Sequence, residues 1–443
     1  MSTTRPNSAD KANASAHKLA PEPSGSLRDL VRDPLRFFLT LTRQYGDVVR
    51  YRAAPEPACL INHPDDIKHI LVLNNHNYTK ETYINHMFKS AVGDGLLTSE
   101  GEVWRRQRRL IQPAFHRQRV ANLGGLVIEE TSKLLARWDE FASKGQAVDI
   151  ASEMSTLTLS ITGKALFGVD LGTRAGSVGQ AVNMAAALLE KPRHAHFQEA
   201  FQSVDRIVYG IIEERRKSDI DTGDVLSLLL QERDEDTGEG MSDQQLRDQV
   251  ITLLLAGYDT TASALTWTWY LLSQHPSIAN KLRTEIKQVL AGRLPKYVDL
   301  IDMPYIEMVF EEALRFYPPA WILGRKALAD DELGGYFIPA GTIIAISPYA
   351  VHRHQGFWDD PELFDPERFS PERSDGRHHF AYLPFGAGPR QCIGNNFALM
   401  EAGLIIAAIA QKYHLDLVPG QTVQPEPIFI LRPPRQLMMI LQE

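Results

Sequence analysis

One cysteine near the C-terminus, Cys392, lies in a segment whose other residues favour an ionised thiol. The segment from Leu383 to Gly394 contains three glycines and two prolines, which predict a tight loop rather than a regular helix or a central strand. The apolar residues after Gly394 recur at helical spacing, so Cys392 comes just before a helix. Backbone N–H groups and the positive end of that helix favour a thiolate, and Arg390 adds positive charge.

Four roles are open to a cysteine in this position. A zinc site is disfavoured because zinc needs several ligands at close spacing, and the other cysteine, Cys59, is hundreds of residues away. A nucleophile would need a histidine base, which the sequence leaves open. A thiolate can also be the axial ligand of haem iron, where it favours O–O cleavage. A buried structural cysteine is the fourth role, and the loop and its spacing alone do not decide among them.

The pattern Phe385-Gly386-x-Gly388-x-Arg390-x-Cys392-x-Gly394 resembles the haem-binding loop of the cytochrome P-450 family at every defining position. The resemblance implies that Cys392 is the metal ligand of a haem b. It also implies that Phe385 packs beside the sulfur and that Gly386 and Gly394 belong to the cofactor-binding loop, whose N–H groups tune electron donation. A haem-thiolate monooxygenase of this kind inserts one oxygen atom of O2 into an apolar organic substrate.

A long helix with an interruption at its centre is the second feature. Ser242 and Gln245 have the spacing of a capping box, and the helix that they open can continue to Gln274, before Pro276. A helix of about 32 residues is roughly 48 Å long and crosses a whole domain. The segment Ala256-Gly257-Tyr258-Asp259-Thr260-Thr261 interrupts its apolar residues with polar groups that need partners or water. A kink made for packing alone would explain this interruption without any function.

The interruption resembles the Ala-Gly-x-Asp/Glu-Thr-Thr element of the same family, which lies over the haem. The resemblance implies that Ala256 and Gly257 border the cofactor and that O2 binds beside them. It further implies that Asp259 and Thr260 are catalytic and form the route for protons, with Asp259 connected to bulk solvent. Loss of Thr260 is expected to release peroxide rather than to abolish haem binding.

Basic residues follow Trp104 in a helical segment with four arginines. Trp104 and Arg108 share one face of this helix because they are four residues apart. A basic run is often only a solvated helix face. The resemblance implies instead that Trp104 and Arg108 bind a haem propionate, that Arg325 contacts the second propionate, and that Arg390 helps to neutralise the pair.

The remaining arginines of this segment, Arg105, Arg106 and Arg109, could meet an acidic partner. The resemblance implies a ferredoxin or flavodoxin-type electron donor on the thiolate side, with activity that falls as ionic strength rises. No bound flavin or NAD is expected, because Gln391 replaces the third glycine of a dinucleotide fingerprint and the βαβ context is missing.

A structural pairing is expected upstream of Cys392. Glu312 and Arg315 share a helix face at i, i+3 spacing, which by itself is a weak signal. The resemblance implies that Arg368 completes a structural triad with them. The segment from Tyr336 to Ile346 predicts a β-hairpin with a Pro-x-Gly turn.

The substrate pocket is expected to be apolar. The segment from Glu81 to Ser99 reads as an irregular, apolar loop, and its Gly93-to-Ser99 part resembles fatty-acid-hydroxylating bacterial members of the family, in which the position of Leu97 faces substrate. Leu254, Ile322 and Leu323 are the other expected lining residues. Such a pocket suits a fatty acid, a terpenoid or a steroid-like lipid alike.

The composition excludes several classes of protein. A net charge of −8 disfavours a nucleic-acid-binding protein, and two cysteines in 443 residues give no disulfide framework, which favours the cytoplasm. No run of about 20 apolar residues is present, so no transmembrane segment is expected. Residues 1–26 read as a disordered polar tail.

The expected fold is mainly α with a small β region. The resemblance implies one cytochrome P-450 catalytic domain over residues 27–443, with the haem between the long central helix and the helix that follows the cysteine loop. A monomer is expected. A peroxide-driven or non-monooxygenase haem-thiolate enzyme is the alternative, and the Asp259-Thr260 pair argues against it; a haem-binding sensor is a further one.

Overall fold

A 32-residue helix, Asp243–Gln274, crosses the molecule, and several of the other helices pack against it. The structure is a computed structural model that describes residues 18–23, 26–53, 56–172, 194–218, 223–231, 233, 238 and 240–443. Residues 1–17 of the predicted tail lie outside the described residues, and Ser26 already begins a helix. Within the described part of the chain, no helix combines the length and the apolar character that crossing a membrane requires.

The α-helices of the described residues are numbered here in chain order. They are α1 Ser26–Arg32, α2 Pro34–Tyr45, α3 Pro64–Lys68, α4 Tyr83–Val92, α5 Gly101–Ile111, α6 Arg117–Asn122, α7 Gly124–Ser143, α8 Ile150–Phe167, α9 His194–Ser218, α10 Val225–Gln231, α11 Asp243–Gln274, α12 Pro276–Leu290, α13 Pro304–Phe316, α14 Pro348–Val351, α15 Pro371–Ser374 and α16 Asn395–Lys412. Most of them bury apolar residues in one large core around α11.

The strands are short and form a minor part of the fold. They are β1 Val48–Ala53, β2 Glu56–Ile61, β3 Tyr78–Thr79, β4 Ala147–Asp149, β5 Leu323–Ala327, β6 Asp331–Leu333, β7 Tyr336–Ile338, β8 Ile343–Ile346, β9 His414–Leu417, β10 Glu426–Pro427, β11 Leu431–Arg432 and β12 Met438–Gln442. Five of them form a mixed sheet in the order β1-β2-β8-β5-β3, in which β2 and β8 are parallel. The architecture confirms the predicted fold class, mainly α with a small β region.

The bounds of helix α11 are those that the sequence predicts. Ser242 Oγ accepts a hydrogen bond from the backbone N–H of Gln245 at 3.2 Å, and the Gln245 side chain accepts one from the Ser242 N–H at 2.9 Å. Both halves of the predicted capping box are therefore present. The helix ends at Gln274, and Pro276 begins the next helix.

Two local predictions were wrong. The segment from Glu81 to Ser99 is not irregular throughout, because Thr82 caps the helix α4 by accepting the Asn85 N–H at 3.2 Å. The predicted hairpin of Tyr336 to Ile346 does not form, since β7 pairs with β6 through the turn at Gly334 and Gly335, while β8 pairs with β5 and β2. Both turn glycines have positive φ, which glycine adopts without a steric penalty.

The loop Gly93–Ser99 follows α4 and lies against the first half of α11. The Asp94 N–H donates to Asp248 at 2.8 Å, and the Leu96 N–H donates to Gln249 at 3.1 Å. A Cβ on Gly95 would lie 2.2 Å from Thr252 Oγ1 and 2.6 Å from the backbone oxygen of Asp248. The loop can approach the helix this closely only because residue 95 has no side chain.

Gly95→Ala tests this contact. We expect the substitution to lower the free energy of unfolding by about 2 kcal/mol, because the backbone of α11 cannot move away from the added methyl group. Gly125→Ala is the matched control, since nothing lies within 4 Å of the place that its added methyl group would occupy, and it should change stability by less than about 1 kcal/mol. Urea unfolding measures both, and equal stability of the two variants would contradict the close approach.

Candidate functional site

The loop that carries Cys392 is held by its own backbone and by its neighbours. The Cys392 N–H donates to the Phe385 carbonyl at 2.9 Å. Gly386 and Gly388 both have positive φ, and a Cβ on Gly388 would lie 1.9 Å from the Leu71 carbonyl oxygen. The glycines of the predicted loop are therefore required by its turns and by a close backbone contact.

The Cys392 side chain is accessible to solvent although protein surrounds it. This desolvation raises the pKa of the Cys392 thiol, while a hydrogen bond from the Gly394 N–H and the charge of Arg108 lower it. The thiol therefore faces an opening inside the protein rather than the outer surface.

Helix α5 directs the predicted Trp104 and Arg108 toward this loop. Arg108 Nη1 donates to the Gln391 carbonyl at 2.8 Å, one residue before the cysteine. The guanidinium of Arg390 lies 4.0 Å from the centre of the Trp104 ring, within cation–π distance. Sequence reasoning placed these three residues at one site, and the structure brings them together.

Positive charge is concentrated beside the loop, in a group of side chains that we call the cation cluster: Lys80, Arg325 and Arg390. Arg390 forms an ion pair with Glu100 at 2.8 Å and donates to the Ser99 carbonyl at 2.8 Å. Arg325 is buried and donates to the Gly324 carbonyl, and Lys80 donates to the Leu97 carbonyl. Among the described residues, no carboxylate lies within ion-pair distance of Lys80 or Arg325.

The positive charges of the cation cluster repel one another. Burial, together with the charges of Arg325 and Arg390, lowers the pKa of Lys80 to about 7. Burial and Arg390 lower the pKa of Arg325 to about 10. Glu100 opposes both shifts but supplies a single negative charge. The cluster is therefore short of negative charge, and a dianion would relieve it.

The centre of α11 borders the opening. Ala256 is exposed although Leu253, Leu254 and Tyr258 are buried around it. Thr260, one turn later, donates its hydroxyl to the Ala256 carbonyl at 2.8 Å. Gly257 packs against helix α8, where a Cβ would lie 2.8 Å from Thr162 Cγ2, so its lack of a side chain is explained by helix packing.

Asp259 has a partner that no sequence pattern indicates. Its carboxylate forms an ion pair with Arg432 at 2.6 Å, and both side chains are largely buried. Arg432 belongs to β11, more than a hundred residues away along the chain. The charge of Asp259 is thus neutralised by a residue of the β10–β11 hairpin.

The expected lining residues do not all face the opening. Leu97 is 43% exposed, and Ile322 and Leu323 are half-buried, with Leu323 Cδ1 4.0 Å from the Cβ position of Gly386. Leu254 has no accessible surface and packs in the core, so its prediction as a lining residue was wrong. Side chains two positions apart in a helix point about 200° away from each other around the helix axis, so Leu254 and Ala256 face opposite sides.

Glu312, Arg315 and Arg368 lie together in the core, as expected. Arg315 pairs with Glu312 through Nε at 2.6 Å and Nη2 at 2.8 Å, and neither side chain has accessible surface. Arg368 Nε lies 3.4 Å from the same carboxylate. The three residues join helix α13 to the segment before the cysteine loop.

Comparison with known proteins identifies the family. The sequence profile of the family described as Cytochrome P450 matches residues 25–441, which is nearly the whole chain. This chain belongs to the cytochrome P450 family. The chain is a P450 monooxygenase with haem b as cofactor and O2 as co-substrate.

Individual relatives agree over most of their length. The P450 is 38% identical over 414 residues to the cyclooctat-9-en-7-ol 5-monooxygenase of Streptomyces melanosporofaciens, covering 90% of this chain and 89% of that protein. It is 33% identical over 431 residues to the pentalenene oxygenase of Streptomyces avermitilis, covering 94% of each. The crystal structure of the cytochrome P450DA haem domain superimposes with a TM-score of 0.88 at 28% identity, covering 96% of this chain and 98% of that one.

The residues of this P450 fit haem b. The accessible Cys392 thiol would provide one ligand for iron, and the cation cluster would supply the positive charge that two propionates need. Lys80 was not found by sequence reasoning, because a single lysine before a loop matches no pattern. The cluster makes it a candidate for propionate binding with Arg325 and Arg390.

Lys80→Met separates the effect of the cation on folding from its effect on the cofactor. The lowered pKa of Lys80 means that the unfolded chain binds a proton more readily than the folded apoprotein between about pH 7 and pH 10. The charge therefore destabilises the apoprotein fully below pH 7, and this effect disappears as the pH rises through the window. We expect the variant apoprotein to melt at a higher temperature than the parent at pH 6, with little difference at pH 10.

The same variant should lose haem faster. Removal of a charged donor to a propionate is expected to raise the rate of haem transfer to apomyoglobin about tenfold. Lys144→Met is the control, because Lys144 pairs with Glu140 on the surface of α7. Haem loss at the parent rate would exclude Lys80 from propionate binding.

Proposed function

We propose that this P450 oxidises a cyclic terpenoid. The observation that carries the proposal is the similarity, over about nine-tenths of the chain, to two enzymes named for the oxidation of cyclooctat-9-en-7-ol and of pentalenene. Three of the expected lining residues carry accessible apolar surface, which suits a lipophilic substrate: Leu97, Ile322 and Leu323. The rings of Phe88 and Phe429, with centroids 3.8 Å apart, join α4 to the turn between β10 and β11.

The proposed roles of the cofactor-binding residues follow from the geometry. Cys392 would ligate the iron, and Trp104, Arg108, Arg390, Arg325 and Lys80 would hold the propionates. Haem b, when bound, supplies the oxidising chemistry, which uses O2, two electrons and two protons to place one oxygen atom on the substrate and release the other as water. The protein contributes a thiolate held by Gly386, Gly388 and Gly394 and an opening lined by apolar groups.

Proton delivery is proposed for Thr260 and Asp259. The Thr260 hydroxyl lies on the face of α11 that borders the opening, where it donates to the Ala256 carbonyl at 2.8 Å. From this position the hydroxyl would pass a proton into the opening. Asp259 is the adjacent acid, and its ion pair with Arg432 holds its carboxylate against strand β11. Rotation of the Asp259 carboxylate away from Arg432 would connect Thr260 to water outside the site.

A ferredoxin or flavodoxin is the proposed electron donor. Helix α5 lies on the thiolate side, because Arg108 contacts the carbonyl next to Cys392. Arg105 and Arg109 are exposed on the same helix, although Arg105 pairs with Glu102. This basic surface would attract an acidic partner. A monomer, a cytoplasmic location and a single catalytic domain over residues 27–443 are also part of this proposal.

Turnover with defined substrates tests the proposed function. The purified protein, supplied with NADPH, a ferredoxin and its reductase, should hydroxylate pentalenene or cyclooctat-9-en-7-ol more efficiently than lauric acid, the fatty-acid comparator. The ferrous carbon monoxide complex should show the red-shifted band of a thiolate ligand, and Cys392→Ala should lose it. Preference for lauric acid would overturn the terpenoid proposal, and a missing thiolate band would overturn the assignment of Cys392.

Thr260→Ala tests the proton route. The variant should keep its haem content and its carbon monoxide spectrum, because the Ala256 carbonyl retains its helical hydrogen bond. We expect NADPH oxidation to yield hydrogen peroxide, with product per NADPH about tenfold lower. Thr261→Ala is the matched control, since this hydroxyl donates to the Gly257 carbonyl at 3.2 Å and is buried. Equal coupling in the two variants would exclude Thr260 from proton delivery.

A further inference from the structure

His352 and Arg315 exchange two hydrogen bonds in the core. Arg315 Nη1 donates to the His352 carbonyl at 2.8 Å, and His352 Nδ1 lies 3.2 Å from the Arg315 carbonyl. Neither side chain has accessible surface. Arg315 belongs to helix α13 and His352 directly follows helix α14, so the pair fixes these two segments to each other.

The other ring nitrogen of His352 contacts the start of the cysteine loop. His352 Nε2 accepts the backbone N–H of Leu383 at 2.8 Å, and Leu383 is itself buried. A nitrogen that accepts an N–H carries no proton, so the proton must be on Nδ1, which then donates to the Arg315 carbonyl. Burial and the charge of Arg315 lower the pKa of His352 well below its usual value, in agreement with a neutral ring in this single tautomer.

From Leu383 the contacts continue to Cys392. The Leu383 carbonyl accepts the Gly386 N–H at 3.2 Å, and the Phe385 carbonyl accepts the Cys392 N–H at 2.9 Å. The rings of Trp358 and Tyr382 pack beside His352, with centroids at 6.4 Å and 5.3 Å. The imidazole thus connects the buried Glu312–Arg315 pair to the backbone of the thiolate loop, next to Tyr382, whose hydroxyl donates to the Glu311 carbonyl at 2.9 Å.

We propose that His352 is a positioning residue that holds the first residue of the cysteine loop against helix α13 and thereby sets the position of the Cys392 sulfur. It acts through the Leu383 N–H and touches neither cofactor nor substrate. The inference rests on Cys392 being the haem ligand and is independent of which substrate is oxidised.

Two substitutions separate the two contacts of the ring. The amide of Gln at position 352 reaches as far as Nε2, so its oxygen can accept the Leu383 N–H. The amide of Asn reaches only as far as Nδ1, so its NH2 can donate to the Arg315 carbonyl while the Leu383 N–H is left unpaired. A purely structural role would make both variants similarly unstable, whereas positioning of the loop predicts that only His352→Asn alters the sulfur.

The test uses the full-length holoprotein of the parent, His352→Gln and His352→Asn. The fraction of thiolate-type band in the ferrous carbon monoxide spectrum and the reduction potential of the haem report the sulfur, and thermal unfolding reports stability. We expect His352→Gln to keep the parent spectrum and potential. His352→Asn should show about fivefold more of the thiol-type band and a shifted potential, because one buried hydrogen bond to the loop is lost.

Identical spectra and potentials in the two variants would overturn the proposal, as would failure of both to bind haem, because retention of the Leu383 contact would then make no difference. A larger thiol-type fraction in His352→Gln than in His352→Asn would also overturn it. Absence of the thiolate band in the parent protein would instead contradict the assignment of Cys392, so the two failures are distinguishable.

Discussion

Arg315 uses all five of its N–H donors inside the protein, and much of the site depends on that arrangement. Two donors bind Glu312, and the other three bind the carbonyls of His352, Pro361 and Leu363. Glu312 in turn accepts the Asp365 N–H at 2.8 Å. A buried ion pair of this kind costs roughly 3–5 kcal/mol to break from one side, because the remaining charge has no solvent. These bonds therefore fix the backbone of the irregular segment before the cysteine loop, and this segment in turn sets the position at which the loop begins.

The other side of the site is arranged in the opposite manner. The Glu312–Arg315 pair is satisfied within the chain, whereas the cation cluster contains more positive charge than Glu100 can neutralise. Lowered pKa values of Lys80 and Arg325 show that these charges are unfavourable without an added anion. The repulsion within the cation cluster destabilises the folded chain, and the two carboxylates of a bound cofactor would remove this repulsion. Binding of such a cofactor by these side chains would therefore also stabilise the folded protein.

What the sequence could predict is whatever depends on local spacing. The cysteine loop, both ends of α11 and the Glu312–Arg315 pair follow from glycines, caps and i, i+3 neighbours that are close in the chain. Contacts between distant segments could not be predicted from local spacing. Arg432 forms an ion pair with Asp259, and β8 pairs with β5 rather than with β7. The error at Leu254 arose because an apolar residue next to a site can face either the opening or the core, and only the rotation of the helix decides.

These two kinds of information correspond to two parts of the function. The proposed oxidising chemistry would depend on the cysteine loop and the helix interruption, which short patterns specify. The shape of the proposed pocket would depend on segments that are distant from one another in the chain: the Gly93–Ser99 loop, the residues after α13 that include Ile322, and the turn between β10 and β11. Hydrogen bonds from Asp94 and Leu96 to α11 fix the backbone of the first of these segments, so its variable part is the side chain of Leu97. Within this loop, a change in the shape of the proposed pocket would therefore come from the side chain at position 97 rather than from the backbone.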